Sequence, residues 1–392
     1  MTRTIANGIL YIGADDKTQD LFESQYIIPD GMAFNSYLVE GDKIAIMDTA
    51  DASVADTWKE NLLEALAGRT PAFLVVHHME PDHSAQIAWV AEKFPEIEIV
   101  ASAKALQFLG QFFEGKEFRT RAVKEGDVLE LGGKTLHFFT APMVHWPEVL
   151  VSFEESGGVL FSADAFGKFG ALSESGFFAD EDDDWACEAR RYYFNICGKY
   201  GLPVQTLLKK VSALPVKVIA PLHGPVIRKG LEEYVNLYNI WSSYGVETEG
   251  VFVAHASIHG GTAEAAEKLA DILRAKGCPK VAVSDLCRDD MAESVEDAFR
   301  YGKMVLCAST YDGGLFTPAY NFLHTLQMKA YQKRRVALVE NGTWAPMAAK
   351  VMTEMFSQMK EVEIVGTPVS LKSRLHGSDI PALEALADAI LK

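Results

Sequence analysis

The sequence holds no uninterrupted apolar run of about 18 residues, so no segment is expected to cross a bilayer. Its opening, MTRTIANGILYIGADD, lacks the basic-then-apolar layout of a signal peptide. Cysteine is scarce and scattered. Cys187, Cys197, Cys278, Cys287 and Cys307 contain no C-x-x-C pair, which excludes a zinc ribbon, a ferredoxin-type cluster and an appended four-cysteine iron domain. An odd, unclustered set is expected of thiols acting as small apolar fillers in a reducing cytoplasm. Positive charge is also short: 37 Lys and Arg stand against 54 Asp and Glu, for a net charge of −17. A nucleic-acid backbone or an anionic membrane surface would want the opposite sign, so neither is expected as a partner. Internal repeats and low-complexity stretches are missing as well.

What remains is a globular composition of 392 residues, 48% hydrophobic and 23% charged. That length exceeds one ordinary core and argues for two domains. Up to about residue 245, short apolar runs end in polar or acidic residues: 43–48 (KIAIMD), 72–78 (AFLVVHH), 158–164 (GVLFSAD) and 216–223 (VKVIAPLH). Each reads as a buried strand delivering polar groups at its C-terminal end. Helical patterns at 55–67 and 102–113 lie between them, which suggests an αββα sandwich. The acidic run 180–184 precedes a helical pattern and reads as solvated acids at a helix N-terminus.

After an amphipathic helix at 231–244 the rhythm becomes a strict alternation. Strands at 250–254, 280–284, 304–308, 335–340 and 362–365 alternate with helices at 262–275, 292–301, 318–332, 345–359 and 380–391. This spacing predicts a doubly wound α/β domain. The domains are expected at 1–248 and 249–392.

Two constellations carry chemistry. The first is His78-Met79-Glu80-Pro81-Asp82-His83, which offers four metal-binding side chains in six residues directly after a buried strand. It resembles the H-x-H-x-D-H signature of the metallo-β-lactamase fold, with Glu80 in place of the second histidine. His145, Asp164 and His223 follow in the order and approximate spacing of that fold's ligands. The resemblance implies that His78, Glu80 and His145 hold one metal, that Asp82, His83 and His223 hold another, and that Asp164 bridges them. Exchanging imidazole for carboxylate adds hard anionic oxygen, which suits iron or manganese better than a histidine-rich zinc site does. His77, His137, His324 and His376 are read as structural; His77 faces away from the motif by strand alternation.

The second constellation begins where the strand at 250–254 runs through Ser257, Ile258, His259, Gly260, Gly261 and Thr262 into a helix. Backbone N–H groups and hydroxyls at a helix N-terminus cradle an anion. The nucleotide-triphosphate and dinucleotide glycine motifs are both absent. Two further loops follow the third and fourth strands: Ser309, Thr310, Tyr311, Asp312, Gly313 and Gly314, then Asn341, Gly342, Thr343 and Trp344. All three resemble the FMN loops of flavodoxins, with His259 standing where an aromatic residue is common.

A metallo-β-lactamase-like domain followed by a flavodoxin-like domain is the architecture of flavodiiron proteins, the A-type flavoproteins, which this chain resembles throughout. The resemblance implies FMN and two irons per chain, and reduction of dioxygen to water or of nitric oxide to nitrous oxide. It also implies a role in detoxifying these gases in an anaerobe-type metabolism. It implies an external donor such as rubredoxin or reduced deazaflavin, and a head-to-tail homodimer or a dimer of such dimers. It places a tyrosine of the EARRYYFNI segment near the irons, with Tyr193 favoured over Tyr192 as a local proton donor. The competing readings are a metallo-hydrolase with a regulatory flavodoxin domain and an electron carrier with a non-catalytic metal site.

Overall fold

The computed structural model describes residues 2–182 and 184–392. The chain divides into two compact units, Met1–Tyr193 with Tyr200–Asn239, and Phe194–Lys199 with Ile240–Lys392. The short second piece, 194–199, joins the later unit through contacts that no local pattern announces.

In the first unit two sheets face each other. One has seven strands in the spatial order Arg3–Ala6, Ile9–Tyr11, Tyr37–Glu40, Ile44–Met47, Phe73–Val76, Glu98–Ser102 and Thr120–Val123. The other has five: Val128–Glu130, Thr135–Thr140, Leu150–Glu154, Val159–Phe161 and Val218–Ala220. Tyr37, Val39, Met47, Phe73 and Val75 from the first sheet share one core with Phe138, Leu150, Phe161 and Ala220 from the second. Each Val, Leu, Met and Phe side chain among these contributes about 1.5–3 kcal/mol on leaving water. Ile44–Met47 and Phe73–Val76 are buried at every position. A strand covered on both faces reads as an unbroken apolar run, which is how KIAIM and FLVV read. The helices Ala55–Leu66 and Ala103–Phe112 stand at the expected places.

The expected strands of this unit were longer than the observed ones, most of all at the polar end. The run 72–78 yields Phe73–Val76, 158–164 yields Val159–Phe161, and 216–223 yields Val218–Ala220. The polar residues have left the ladder and turned into loops.

The second unit is a parallel sheet in the order Val281–Asp285, Thr248–Ala256, Tyr301–Tyr311, Arg334–Asn341 and Val362–Ile364. This 2-1-3-4-5 order is that of flavodoxin-like sheets. A further short strand, Val369–Leu371, pairs with the far end of Arg334–Asn341. Five helices follow the strands: Gly261–Ala275, Met291–Arg300, Thr317–Met328, Ala348–Phe356 and Ile380–Leu391. Two are shorter than the sequence suggests. The third stops at Met328, two residues before Ala330 takes a left-handed φ of 60°. The fourth begins only at Ala348, because Ala345 has a φ of 42° and Pro346 has no N–H to give. Tyr301, expected to close a helix, opens a strand instead.

The acidic run precedes the helix Trp185–Ile196 with Asp180, Glu181 and Asp184 exposed, and part of it is also paired. Asp180 accepts from Arg228 (2.9 Å) and Lys229 (2.5 Å), and Asp182 pairs with Lys168. Asp183 lies outside the described residues. No described helix is long and apolar enough to cross a membrane.

Candidate metal centre and cofactor cleft

Four strand ends in the first unit deliver the metal-binding side chains. Phe73–Val76 leads into His78, and Pro81 then sits at the first position of the one-turn helix Pro81–Ser84. Proline is preorganised there by its fixed φ, so Glu80, Asp82 and His83 leave the loop in set directions. His145 follows Thr135–Thr140, Asp164 follows Val159–Phe161, and His223 follows Val218–Ala220.

These residues form two clusters. His78, Glu80, His145 and Asp164 bring ligand atoms within 4.8 Å of one another, as do Asp82, His83 and His223. Asp164 Oδ2 lies 3.1 Å from His145 Nε2 and 3.6 Å from His78 Nε2. Its Oδ1 lies 3.2 Å from His83 Nε2 and 4.0 Å from His223 Nε2. One carboxylate therefore turns one oxygen to each cluster. Glu80 Oε2 closes the first at 3.0 Å from His145 and 3.2 Å from His78. Asp82 Oδ2 closes the second at 3.2 Å from His223 and 3.4 Å from His83.

In the second cluster closeness is not hydrogen bonding. Both oxygens of Asp82, Asp164 Oδ1, both ring nitrogens of His83 and Nε2 of His223 are buried without a hydrogen-bond partner. Unsatisfied buried polar atoms are few in folded proteins. A set of them converging from three segments has the geometry of a metal site, in which a cation would meet the lone pairs that face it.

The electrostatics agree. Burial disfavours charge on Asp164, Glu80 and His145, yet mutual attraction outweighs it. Asp164, beside His78, His145 and His83, is held well below the usual carboxylate range. Against burial, His145 and His78 lower Glu80 to about 2. Asp164 and Glu80 raise His145 to about 9, again against burial. This pocket attracts positive charge.

Supporting contacts fix the rings. His78 Nδ1 donates to buried Glu148 Oε1 at 2.7 Å, leaving Nε2 for the cluster. His223 Nδ1 donates to the Ala33 carbonyl at 2.8 Å, with the same effect. Such contacts hold a metal-binding imidazole in one tautomer and direction. Buried Asp48 accepts the His77 N–H at 2.7 Å and that of His78 at 3.4 Å. His77 itself bonds Asp48 and Ser152, away from the clusters, as expected. Asp48 entered the sequence reading only as the acid that ends KIAIMD, and Glu148 escaped it. The one signal was an acid at the end of HWPE, directly before the apolar run VLVSF.

Of the two tyrosines, Tyr193 packs its ring on Tyr238 at 5.2 Å. Tyr192 packs on His223 at 5.7 Å and on Phe169 at 5.1 Å. Tyr192 is thus in ring contact with one of the metal-binding side chains. Gly167 permits that approach: a Cβ there would stand 2.9 Å from the Tyr192 ring and 2.9 Å from the Asp164 carbonyl. His137 pairs with Glu155, His324 stacks on Tyr320, and His376 precedes a short turn.

The second unit holds a cleft of about 490 Å³, within the range of small-molecule and cofactor sites. Of the sixteen loop residues singled out from the sequence, all line it except Gly260 and Gly314; Ala345 and Ser373 join them. Gly260 instead turns the chain into the helix Gly261–Ala275 with a φ of 89°. Gly314 pairs back with Tyr311 in the strand ladder. Ser257 Oγ accepts the Gly260 N–H at 3.0 Å, and Thr262 shares a 2.8 Å hydrogen bond with Ser309. Asn341 Nδ2 reaches Thr262 Oγ1 at 3.2 Å, while its Oδ1 is buried without a partner. A Cβ at Gly261 would meet the Ser373 carbonyl at 2.6 Å, so backbone approaches backbone at the helix start. Trp344 is 81% exposed and Tyr311 47% exposed, which leaves two aromatic faces free at the rim.

Comparison with known proteins places both halves. A family model described as the ODP family beta lactamase matches residues 32–224. The chain is 34% identical over 229 residues to a putative diflavin flavoprotein A 1 of Thermosynechococcus vestitus, covering 58% of this chain and 40% of that one. A second diflavin flavoprotein, from Nostoc, is 29% identical over 353 residues, 87% of this chain and 58% of its own. The chain thus spans roughly half the length of these relatives. An anaerobic nitric oxide reductase flavorubredoxin of Vibrio vulnificus is 27% identical over 352 residues, 88% of this chain and 70% of its own. Among solved structures, rubredoxin oxygen:oxidoreductase of Desulfovibrio gigas superposes with a TM-score of 0.92 at 24% identity, over 100% of this chain and 98% of that one. The flavodiiron protein of Giardia intestinalis gives 0.92 at 20% identity, over 99% and 96%. At such identities the structural likeness is one of fold.

Proposed function

The chain belongs to the A-type flavodiiron family, and from that premise we propose that it is an oxidoreductase that reduces dioxygen or nitric oxide at a pair of irons supplied with electrons by FMN. The observation that carries this reading is Asp164, one oxygen of which faces His145 and His78 while the other faces His83, in a second cluster whose buried imidazole and carboxylate atoms lack hydrogen-bond partners. When bound, FMN would take up electrons and release them singly, and the irons would bind and reduce the gas.

The chain's own residues have these proposed roles. His78, Glu80 and His145 hold one metal; Asp82, His83 and His223 hold the other; Asp164 is shared. His83 is included because its Nε2 points at Asp164 and Asp82. Three carboxylates among the seven groups favour iron over zinc. The loops at 257–262, 309–314 and 341–344 hold FMN, with its phosphate at the start of the helix Gly261–Ala275. The contact with His223 makes Tyr192 a phenol to test as a proton source together with Tyr193. The proposed functional division at 248/249 falls at the start of the strand Thr248–Ala256, nine residues after the compact units divide at 239/240. A rubredoxin-type protein or reduced deazaflavin is the proposed donor, a head-to-tail homodimer the proposed working unit, and the cytoplasm the proposed site of action, in keeping with five scattered cysteines and no C-x-x-C pair.

The test is anaerobic reduction of the purified protein followed by separate addition of the two gases, timing flavin reoxidation, with metal analysis alongside. Two irons per chain and fast reoxidation by at least one gas are expected. Stoichiometric zinc with hydrolytic turnover and no gas consumption would refute the reading.

A further inference from the structure

Asn35 is fully buried beside the loop that carries His223. Its Nδ2 donates to the carbonyls of Pro221 at 2.9 Å and of Gly224 at 2.7 Å, one on each side of the histidine. Its backbone N–H donates to the Leu222 carbonyl at 2.8 Å. Two residues on, Tyr37 Oη donates to the Pro221 carbonyl at 2.6 Å. Two residues back, the Ala33 carbonyl accepts from His223 Nδ1. Loop 221–224 is therefore held from both flanks and through the ring of its histidine by one five-residue stretch, 33–37.

The side-chain amide can stand only one way round. Reversed, its oxygen would face two carbonyl oxygens at hydrogen-bond distance. In the orientation that serves the loop, Asn35 Oδ1 is buried with no partner. A buried acceptor left unsatisfied costs stability, so a residue present only to fill space would be better apolar. The neighbour Ser36 donates through Oγ to the Asp48 carbonyl at 2.9 Å, and the Asp48 carboxylate accepts the His77 and His78 N–H groups. The 35–36 pair thus stands between the loop of His223 and the loop of His78.

We propose that Asn35 is a positioning residue that sets the aim of His223 and, with Ser36, fixes the spacing of the two metal half-sites. This rests on the metal-centre reading above. It makes an asymmetric claim, because the first cluster has its own support in Glu148 and does not touch Asn35. Replacing the amide should release loop 221–224 and so weaken the half-site of Asp82, His83 and His223, while the half-site of His78, Glu80 and His145 keeps its metal.

The experiment uses the full chain, stripped by chelation and reloaded anaerobically with ferrous iron alone. Bound iron is titrated against a competing chelator, and half-oxidised samples are examined by electron paramagnetic resonance. Wild type should take up two irons and show the signal of a spin-coupled pair. Asn35→Ala should hold one iron at wild-type affinity and the second about 10–100-fold more weakly, with the coupled signal lost. Tyr37→Phe, which removes one hydrogen bond and keeps the ring, should shift the same single step less, and it carries the test if Asn35→Ala does not fold. Equal weakening of both steps, or none, in a folded variant would overturn the proposal and leave the metal-centre reading standing. A wild-type chain that binds fewer than two irons would overturn both.

Discussion

Glu148 Oε1 receives the Nδ1 proton of His78 at 2.7 Å, and both residues are buried. The same oxygen accepts the Met79 N–H at 3.0 Å, so the carboxylate holds the ring and the backbone that follows it. Glu148→Gln keeps the shape and presents either a weaker acceptor or a misplaced donor. It should lower metal affinity at the His78 half-site by about 10–100-fold and leave FMN content unchanged. Chelator competition on the reloaded protein measures the affinity. An unchanged affinity would make Glu148 a packing residue.

The two sites should fail independently. Asp164→Ala removes the one group that faces both clusters, and metal at both half-sites should fall while the flavin stays. Gly261→Val puts a side chain where the Ser373 carbonyl already stands 2.6 Å from a Cβ. That chain should lose FMN and keep its metals. Metal analysis and the visible flavin spectrum read both variants, and either substitution removing both cofactors would contradict the division.

The contiguous parts of the site were legible in the sequence, and the parts assembled across the chain were not. Four metal-binding side chains in six residues advertise themselves, and so do glycines and hydroxyls between a strand and a helix. Asp164 and His223 were readable because each ends an apolar run. Glu148 meets its partner 70 residues away and Asn35 meets its loop across 186 residues, and neither has a local pattern. Tyr192 and Tyr193 are adjacent on a helix and point in directions that only packing decides. Element ends slipped where one residue's φ settled the matter, as at Ala330 and Ala345.

Cys307 gives a pH dependence remote from the metals. It is fully buried in the central strand of the second sheet, and burial pushes its thiol up to about 12. In the unfolded chain a thiol ionises near pH ~8.5. The folded state keeps the proton that the unfolded state releases, so the stabilising contribution is complete below that value. It is lost as pH rises from there toward 12. Cys307→Ala has no such loss. The stability gap between wild type and variant should therefore narrow by about 1–2 kcal/mol between pH ~7.5 and ~10. Urea unfolding at the two values measures it, and a constant gap would mean the thiol ionises as readily folded as unfolded.

The head-to-tail dimer can be tested by complementation. The proposed metal ligands belong to the first unit and the proposed FMN loops to the second. If each working site is completed across chains, it needs the first unit of one chain and the second unit of its partner. A chain carrying Asp164→Ala lacks metal, and a chain carrying Gly261→Val lacks FMN, so neither alone should reduce gas. In a mixed dimer, the metals of the Gly261→Val chain meet the FMN of the Asp164→Ala chain. One of the two cross-chain sites is then intact. Random exchange of equal amounts gives mixed dimers as about half of the population, as expected for closed two-fold pairs. With one working site of two in each, recovered activity should approach a quarter of the wild-type rate per chain. Differently tagged chains establish that exchange has taken place. Activity that stays absent after demonstrated exchange would assign electron transfer to a single chain and remove the dimer from the mechanism.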